Sequence, residues 1–406
     1  MIVKSFEIRS YKSCIKTKLE VESDLTALIG LNGAGKSNLM TGMFLLKKIF
    51  KSNSYKRISK ENSTRCKIIV EVLFKKKPVF ITVNTNYETD DRNADAINPE
   101  LVEFDLSNIF PGVSKFIFPI KLAKRGEASF GSKYYGYIIE EHNKNLWKPI
   151  NKDLTKISKV VETIISDLGS INYYSAIQFS DPSRCPVYFE FEENTFLPRS
   201  STAVHARFIN SLFFGFKDNS SDYLQFLSIV GKEGLGLIDS LDFDEIVMPS
   251  TSFEIKSGGS IKAIQKNRLL IVPRFKIGNN NLSPNQLSEG TFKTLALIYY
   301  IISDSSKILL IEEPEVCIHH GLLLSIITLI KYRSRSKQII ISTHSDYVLD
   351  LLKPENIVLV QKDSKKGSLV KKLSKELTKN EYDALKLYLS TTGNLGEYWK
   401  EGGFNG

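Results

Sequence analysis

The run Gly30-Leu-Asn-Gly-Ala-Gly-Lys-Ser37 is the first set of residues able to do chemistry. Its glycines let successive backbone N–H groups turn toward a phosphate, and a helix beginning at the lysine adds the positive end of its dipole. Lys36 supplies a point charge for the outer phosphates, and Ser37 a hydroxyl ligand for magnesium. The spacing is G-x-x-x-x-G-K-S, and its surroundings suit it. A short buried strand, Leu25–Ile29, is expected just before the loop, and an amphipathic helix over Leu39–Phe50 just after it.

A second constellation lies far along the chain. The apolar run Ile308–Ile311 is followed by Glu312-Glu313-Pro314-Glu315. Adjacent acids at the end of a buried strand place carboxylates beside a nucleotide's metal. Glu312 is placed to hold magnesium through water, and Glu313 to polarise the attacking water as general base. The plainer reading, an acidic loop after a core strand, loses weight once the phosphate loop is present. Two further runs flank these acids. Leu287-Ser-Glu-Gly-Thr291 opens a predicted helix with Ser288 as its N-cap, and Ile339-Ile-Ile-Ser-Thr-His344-Ser345 is an apolar strand ending in a histidine.

The elements that must position these residues are regular at both ends of the chain. Residues 1–29 read as two or three strands, and Lys67–Phe74 with Val79–Val83 as a hairpin-like pair. From Leu269–Phe275 onward, strands and helices alternate, which predicts a largely parallel α/β core. Between about 90 and 265 the pattern is least legible. Short strands (Phe116–Ile120, Tyr134–Ile139) are expected there, with an amphipathic helix over 154–168 and helices near 203–216 and 221–229. No heptad pattern is long enough for a coiled-coil arm. The expected division is 1–89, 90–265 and 266–406, an α/β head interrupted by an α+β or helical insertion.

Composition narrows the function classes only coarsely. The formal charge of +10 suits a polyanion such as DNA, but the lysines are dispersed and leave that open. Cys14, Cys66, Cys185 and Cys317 form no C-x-x-C pair, so neither a zinc site nor a disulfide framework is expected. No signal-like or membrane-length apolar run is present, and the expectation is a soluble cytoplasmic protein with no membrane partner.

Taken together, these motifs resemble the ABC-type ATPases, specifically the heads of SMC and RecF proteins. The implied fold is an ABC/SMC-type P-loop ATPase head with a mixed sheet, and the implied ligands are ATP and Mg²⁺. Gly30, Asn32, Gly33, Gly35, Lys36, Ser37 and Asn38 correspond to the phosphate loop, with Asn32 and Asn38 closer to SMC and RecF heads than to transporter subunits. Leu287–Thr291 looks like the signature motif LSGGQ, whose Ser288 and Gly290 then bind the nucleotide held by a second subunit. That implies a homodimer or higher homo-oligomer. Glu289, Thr291 and Glu312 depart from the common form and put the turnover rate in doubt. His344 matches the family's switch histidine, although a lone strand-end histidine is also an ordinary structural residue. Gln178, after Asn172–Ile177, is either the family's Q-loop magnesium ligand or a plain surface glutamine. Lys12 could reach a phosphate or base edge, and His319-His320 fits a D-loop better than a metal site.

Glu-Glu-Pro-Glu-x-x-Ile-His319 and the closing run Gly393–Gly403 resemble the compact ATPases of prokaryotic anti-phage systems, including the overcoming-lysogenization-defect, Gabija, Septu and PARIS ATPases. No Toprim or HNH nuclease pattern follows His344, so the resemblance implies an ATPase subunit that senses invasion and controls a separate nuclease or toxin. The middle region 90–265, with its amphipathic helix 154–168, is the expected partner or oligomer surface. Two other readings stand: a RecF-like ATP-gated DNA-binding repair protein, and a nucleotide-locked scaffold with negligible turnover.

Overall fold

The computed structural model describes residues 1–51, 63–88, 96–111, 113, 116–119, 154–192, 204–255, 261–316, 318–391 and 393–401. They form two compact units, one of 1–173, 305–313 and 330–406, the other of 174–304 and 314–329. These boundaries fall elsewhere than 89/90 and 265/266. The signature run joins the inserted segment, and residues up to 173 join the N-terminal lobe.

In the first unit, an antiparallel sheet is built from β1 (Ile2–Tyr11), β2 (Cys14–Glu20), β4 (Thr64–Phe74), β5 (Lys77–Glu88), β6 (Ala96–Asp105) and β7 (Phe116–Pro119), in the order β2-β1-β4-β5-β6-β7. Lys75 and Lys76, both at positive φ, make the tight β4–β5 turn whose twist matches the strands. Alternate residues such as Phe6, Ile8, Ile68, Val70, Ile81 and Val83 face one core. Helices α1 (Lys36–Lys51) and α2 (Leu154–Gly169) pack into that same core.

The helix over 154–169 was expected, but its role is different. Ile157, Val161, Ile164 and Leu168 are buried against the head. Each such side chain contributes about 2 kcal/mol when removed from water. The apolar stripe of this helix is thus consumed internally.

The second sheet of this unit has the order β16-β15-β3-β14-β13-β8, with β3 (Leu25–Ile29), β8 (Asn172–Ser175), β13 (Ile308–Glu312), β14 (Gln338–Thr343), β15 (Ile357–Asp363) and β16 (Gly367–Lys372). β13, β14, β3 and β15 run parallel, and β16 antiparallel, which makes the sheet mixed. Leu28 and Val358 face the core of α1, while Ile29, Ile357 and Leu359 face a second cluster with Leu349, Leu385 and Leu395. Gln338 pins this sheet to β1. Its side-chain oxygen accepts from Val3 N–H at 2.7 Å, and its amide donates to the carbonyls of Val3 at 2.8 Å and Glu22 at 2.6 Å.

The second unit has helices α3 (Val204–Lys217), α4 (Ser221–Val230) and α5 (Glu289–Ser303) around an aromatic core. Phe208 meets Phe292 edge-on at 5.5 Å, and Phe179 stacks on Tyr174 at 5.2 Å. A long hairpin pairs β10 (Ser240–Ile255) with β11 (Ile261–Ile277). Only the second half of β11 was legible, as Leu269–Phe275. The strand expected at Tyr134–Ile139 lies outside the described residues. No helix among the described residues is long and apolar enough to cross a membrane.

Candidate functional site

The register of the parallel sheet brings three loops to one level. Ile29 lies opposite Thr343 on one side and Leu359 on the other, and Glu312 lies opposite Ser342. The chain therefore leaves β3 into Gly30, β14 into His344 and β13 into Glu313 along a single carboxyl edge. That edge is where open α/β sheets bind ligands.

The loop after β3 is shaped by its glycines. Gly30 has φ +157°, and a Cβ there would lie 2.1 Å from the Val360 carbonyl oxygen. Gly35 has φ +105°, and its Cβ would lie 2.0 Å from Ser368 Oγ. Neither position admits a side chain. Helix α1 begins at Lys36, whose buried ammonium donates to the Gly30 carbonyl at 2.7 Å. Asn32, Gly33 and Ser37 are exposed at the mouth of the loop. Asn38 faces the loop's support, its amide donating to Ser13 Oγ at 2.8 Å.

Ser368 completes that support, with its hydroxyl 2.8 Å from both Ser13 Oγ and the Ala34 carbonyl. Two hairpin turns, one at each end of the chain, thus brace the loop. Sequence reading missed Ser13 and Ser368 because their pairing spans 355 positions. The outer flank of the loop, Gly30–Asn32, borders a cavity of about 360 Å³ walled by Leu359–Lys362 and Trp399. Lys12 stands in the β1–β2 turn at positive φ. Its N–H donates to the Tyr87 hydroxyl at 3.0 Å, and its ammonium lies 5.2 Å from the Tyr11 ring centre.

The acids end β13. Glu312 is buried and its carboxylate accepts a hydrogen bond from the Tyr173 hydroxyl. Glu313 stands at φ +46°, a left-handed conformation that costs a non-glycine residue about 1 kcal/mol. Its N–H holds that turn by donating to the Ser342 carbonyl at 2.9 Å. His344 Nδ1 lies 3.5 Å from Glu313 Oε1. The Ser342 hydroxyl beside them is fully buried and has no hydrogen-bond partner among the described residues.

The remaining predicted residues belong to the second unit. Gln178 is exposed on the 3₁₀ turn Ala176–Phe179, directly after the edge strand β8. Ser288 caps α5, its Oγ accepting from Thr291 N–H at 3.2 Å, as expected of a helix start. Gly290 lies in the first turn of that helix, its carbonyl accepting from Thr294 Oγ1 at 2.7 Å. Glu289 pairs with the buried Lys293 at 2.6 Å. The hydrogen bond and charge of Lys293 hold its carboxyl below the usual range, with help from Ser180. The extra acid in this run is thus matched by a cation one turn on. Among the described residues no group of three or more His, Cys, Asp or Glu side chains is placed to hold a metal ion. Cys317 lies outside them.

The structure therefore brings Gly30–Ser37, Glu312, Glu313 and His344 to one edge. These groups fit a magnesium nucleotide: a cradle that Cβ atoms would fill, a buried ammonium, a strand-end carboxylate and an unpartnered hydroxyl beside it.

Residues 25–350 match the family described as "AAA domain, putative AbiEii toxin, Type IV TA system". No curated protein matches the chain. Among solved structures, it is similar to an Smc head bound to the C-winged helix domain of ScpA, at 12% identity and TM-score 0.41, covering 91% of this chain and 97% of that one. It is also similar to the SMC head domain from Thermotoga maritima, at 12% and 0.38, covering 92% and 99%. A third is the Smc head with an extended coiled coil from Pyrococcus furiosus, bound to the C-terminal domain of ScpA, at 12% and 0.39, covering 96% and 100%.

Proposed function

We propose, from the premise that the chain belongs to the AbiEii-type AAA-domain family, that it is the ATP-hydrolysing subunit of a multicomponent anti-phage defence complex. The fold supports the first part of this reading: a P-loop ATPase head with a mixed sheet, as the family match and the strand order have it. The observation that carries it is the common edge of Lys36, Glu312, Glu313 and His344 at the ends of β3, β13 and β14.

The chemistry follows from that edge. The N–H groups of Gly33–Ser37 and the N-terminus of α1 bind the phosphates, and Lys36 exchanges the Gly30 carbonyl for an outer phosphate oxygen. Ser37 and Glu312 would hold magnesium, which when bound would neutralise charge on the phosphates. Glu313 accepts the proton of the water that attacks the γ-phosphorus, and His344 steadies its carboxylate from 3.5 Å. Ser288 and Gly290 of a second copy bind the γ-phosphate from the far side, so two copies close around two nucleotides. Hydrolysis removes those contacts and opens the pair.

In this reading the engine controls a separate nuclease or toxin effector, whereas the family description gives the name toxin to the matched family itself. Two measurements test the reading. Phosphate release by the purified chain should fall at least a hundredfold in Lys36→Ala and Glu313→Gln, in line with loss of a charge clamp or a base. Turnover unchanged in both variants contradicts it. In cells carrying the chain with its neighbouring genes, Lys36→Ala should abolish protection against phage. Protection that persists without Lys36 contradicts the defence role.

A further inference from the structure

Glu312 is a glutamate at a strand end, with three side-chain torsions to fix before its carboxylate has one position. Rotamer freedom of that kind has to be given up at the moment of binding, at a cost in affinity. The structure removes it in advance. One carboxylate oxygen, Oε2, accepts the Tyr173 hydroxyl, leaving Oε1 for a ligand.

Tyr173 is itself well held. It sits on β8, the strand beside β13 at the sheet's edge. Its ring lies 5.6 Å from that of Phe44 on α1, at an interplanar angle of 36°. The neighbouring Asn172 side chain accepts from Lys47, one turn further along the same helix. Ser170, just upstream, accepts from the Lys307 N–H at 3.2 Å, immediately before β13. Helix α1 therefore carries Lys36 and Ser37 at its N-terminus and supports Tyr173 from its middle turns. The acid and the phosphate loop are referenced to the same rod.

We propose that Tyr173 is a positioning residue for magnesium: its hydroxyl orients Glu312 so that the ion is met by a carboxylate already in place. The inference rests on the ATPase reading above, and it concerns the order of the site before the ion arrives. Outer partners of this kind change metal affinity by about tenfold or more when lost. The Phe44 contact remains when only the hydroxyl is removed, so Tyr173→Phe keeps the packing.

The test is a magnesium titration of nucleotide binding, using fluorescent ATP analogue at fixed concentration and no turnover. Tyr173→Phe should raise the magnesium concentration for half-maximal binding by about tenfold. Its affinity for the nucleotide without magnesium should match the wild type. Glu312→Asp shortens the side chain by one methylene and should break the hydroxyl contact, so Tyr173→Phe should add nothing in that background. Equal magnesium dependence in wild type and Tyr173→Phe overturns the proposal, as does a full additive loss in the double variant. Failure of the wild type to bind the analogue at all overturns the ATPase reading instead.

Discussion

In the proposed reaction Lys36 clamps a phosphate and Glu313 acts as base, and where each stands is set by residues that do no chemistry themselves. Gly30 illustrates the difference. Its role as the loop's first glycine is plain in the sequence, whereas its reason is the Val360 carbonyl that a Cβ would strike. Gly30→Ala should therefore abolish nucleotide binding while leaving the far-ultraviolet circular dichroism unchanged. Retained affinity in that variant contradicts the close approach. The cysteines give a second test at this scale. Burial raises the Cys14 thiol and pushes Cys66 and Cys185 up to about 12. At pH 8 these buried thiols therefore stay protonated and unreactive. In a Cys317→Ser background, a thiol reagent at pH 8 should label nothing until the protein unfolds. Because folding raises these values, the stability they confer is intact below about pH 9 and declines as pH climbs toward 12.

At the scale of the element, the two sheets are joined by a residue with no motif around it. Gln338 answers three backbone groups, from Val3 and Glu22, inside the core. Gln338→Leu leaves all three without partners and should cost about 3 kcal/mol of unfolding free energy in a denaturant titration. A loss under 1 kcal/mol contradicts that account. Local patterning made the strands Leu25–Ile29, Ile308–Glu312 and Gln338–Thr343 readable, since each is a short, mostly apolar run before a motif. It also gave the helices over 154–169, 204–217 and 221–230 nearly to their ends. The hairpin Ser240–Ile277 was half missed because its strands mix Asp, Ser, Pro and Lys with the apolar residues. The helix over 154–169 was read correctly as amphipathic. Its destination was not, because periodicity shows that a face is buried without showing against what. Contacts such as Tyr173 on Glu312 and Ser368 on Ser13 depend on strand order, which no local pattern carries.

At the scale of the whole molecule, the chain as proposed is half of an engine. In the proposed dimer each copy would supply the phosphate loop, the acids and His344 for its own nucleotide, and Ser288 and Gly290 for its partner's. Glu289 does not spoil such a contact, because Lys293 already matches its charge. Glu289→Gly should therefore leave ATP-driven assembly within about twofold, whereas Lys293→Ala should weaken it by exposing the acid to the phosphate. Assembly lost in the first variant and kept in the second contradicts that reading. The most direct test of the central claim is the solution mass of Glu313→Gln by light scattering, with and without MgATP. The account predicts a dimer that forms or locks on MgATP and fails to do so when Ser288→Arg is added. An unchanged mass in the presence and absence of MgATP, with Ser288→Arg indistinguishable, would contradict it.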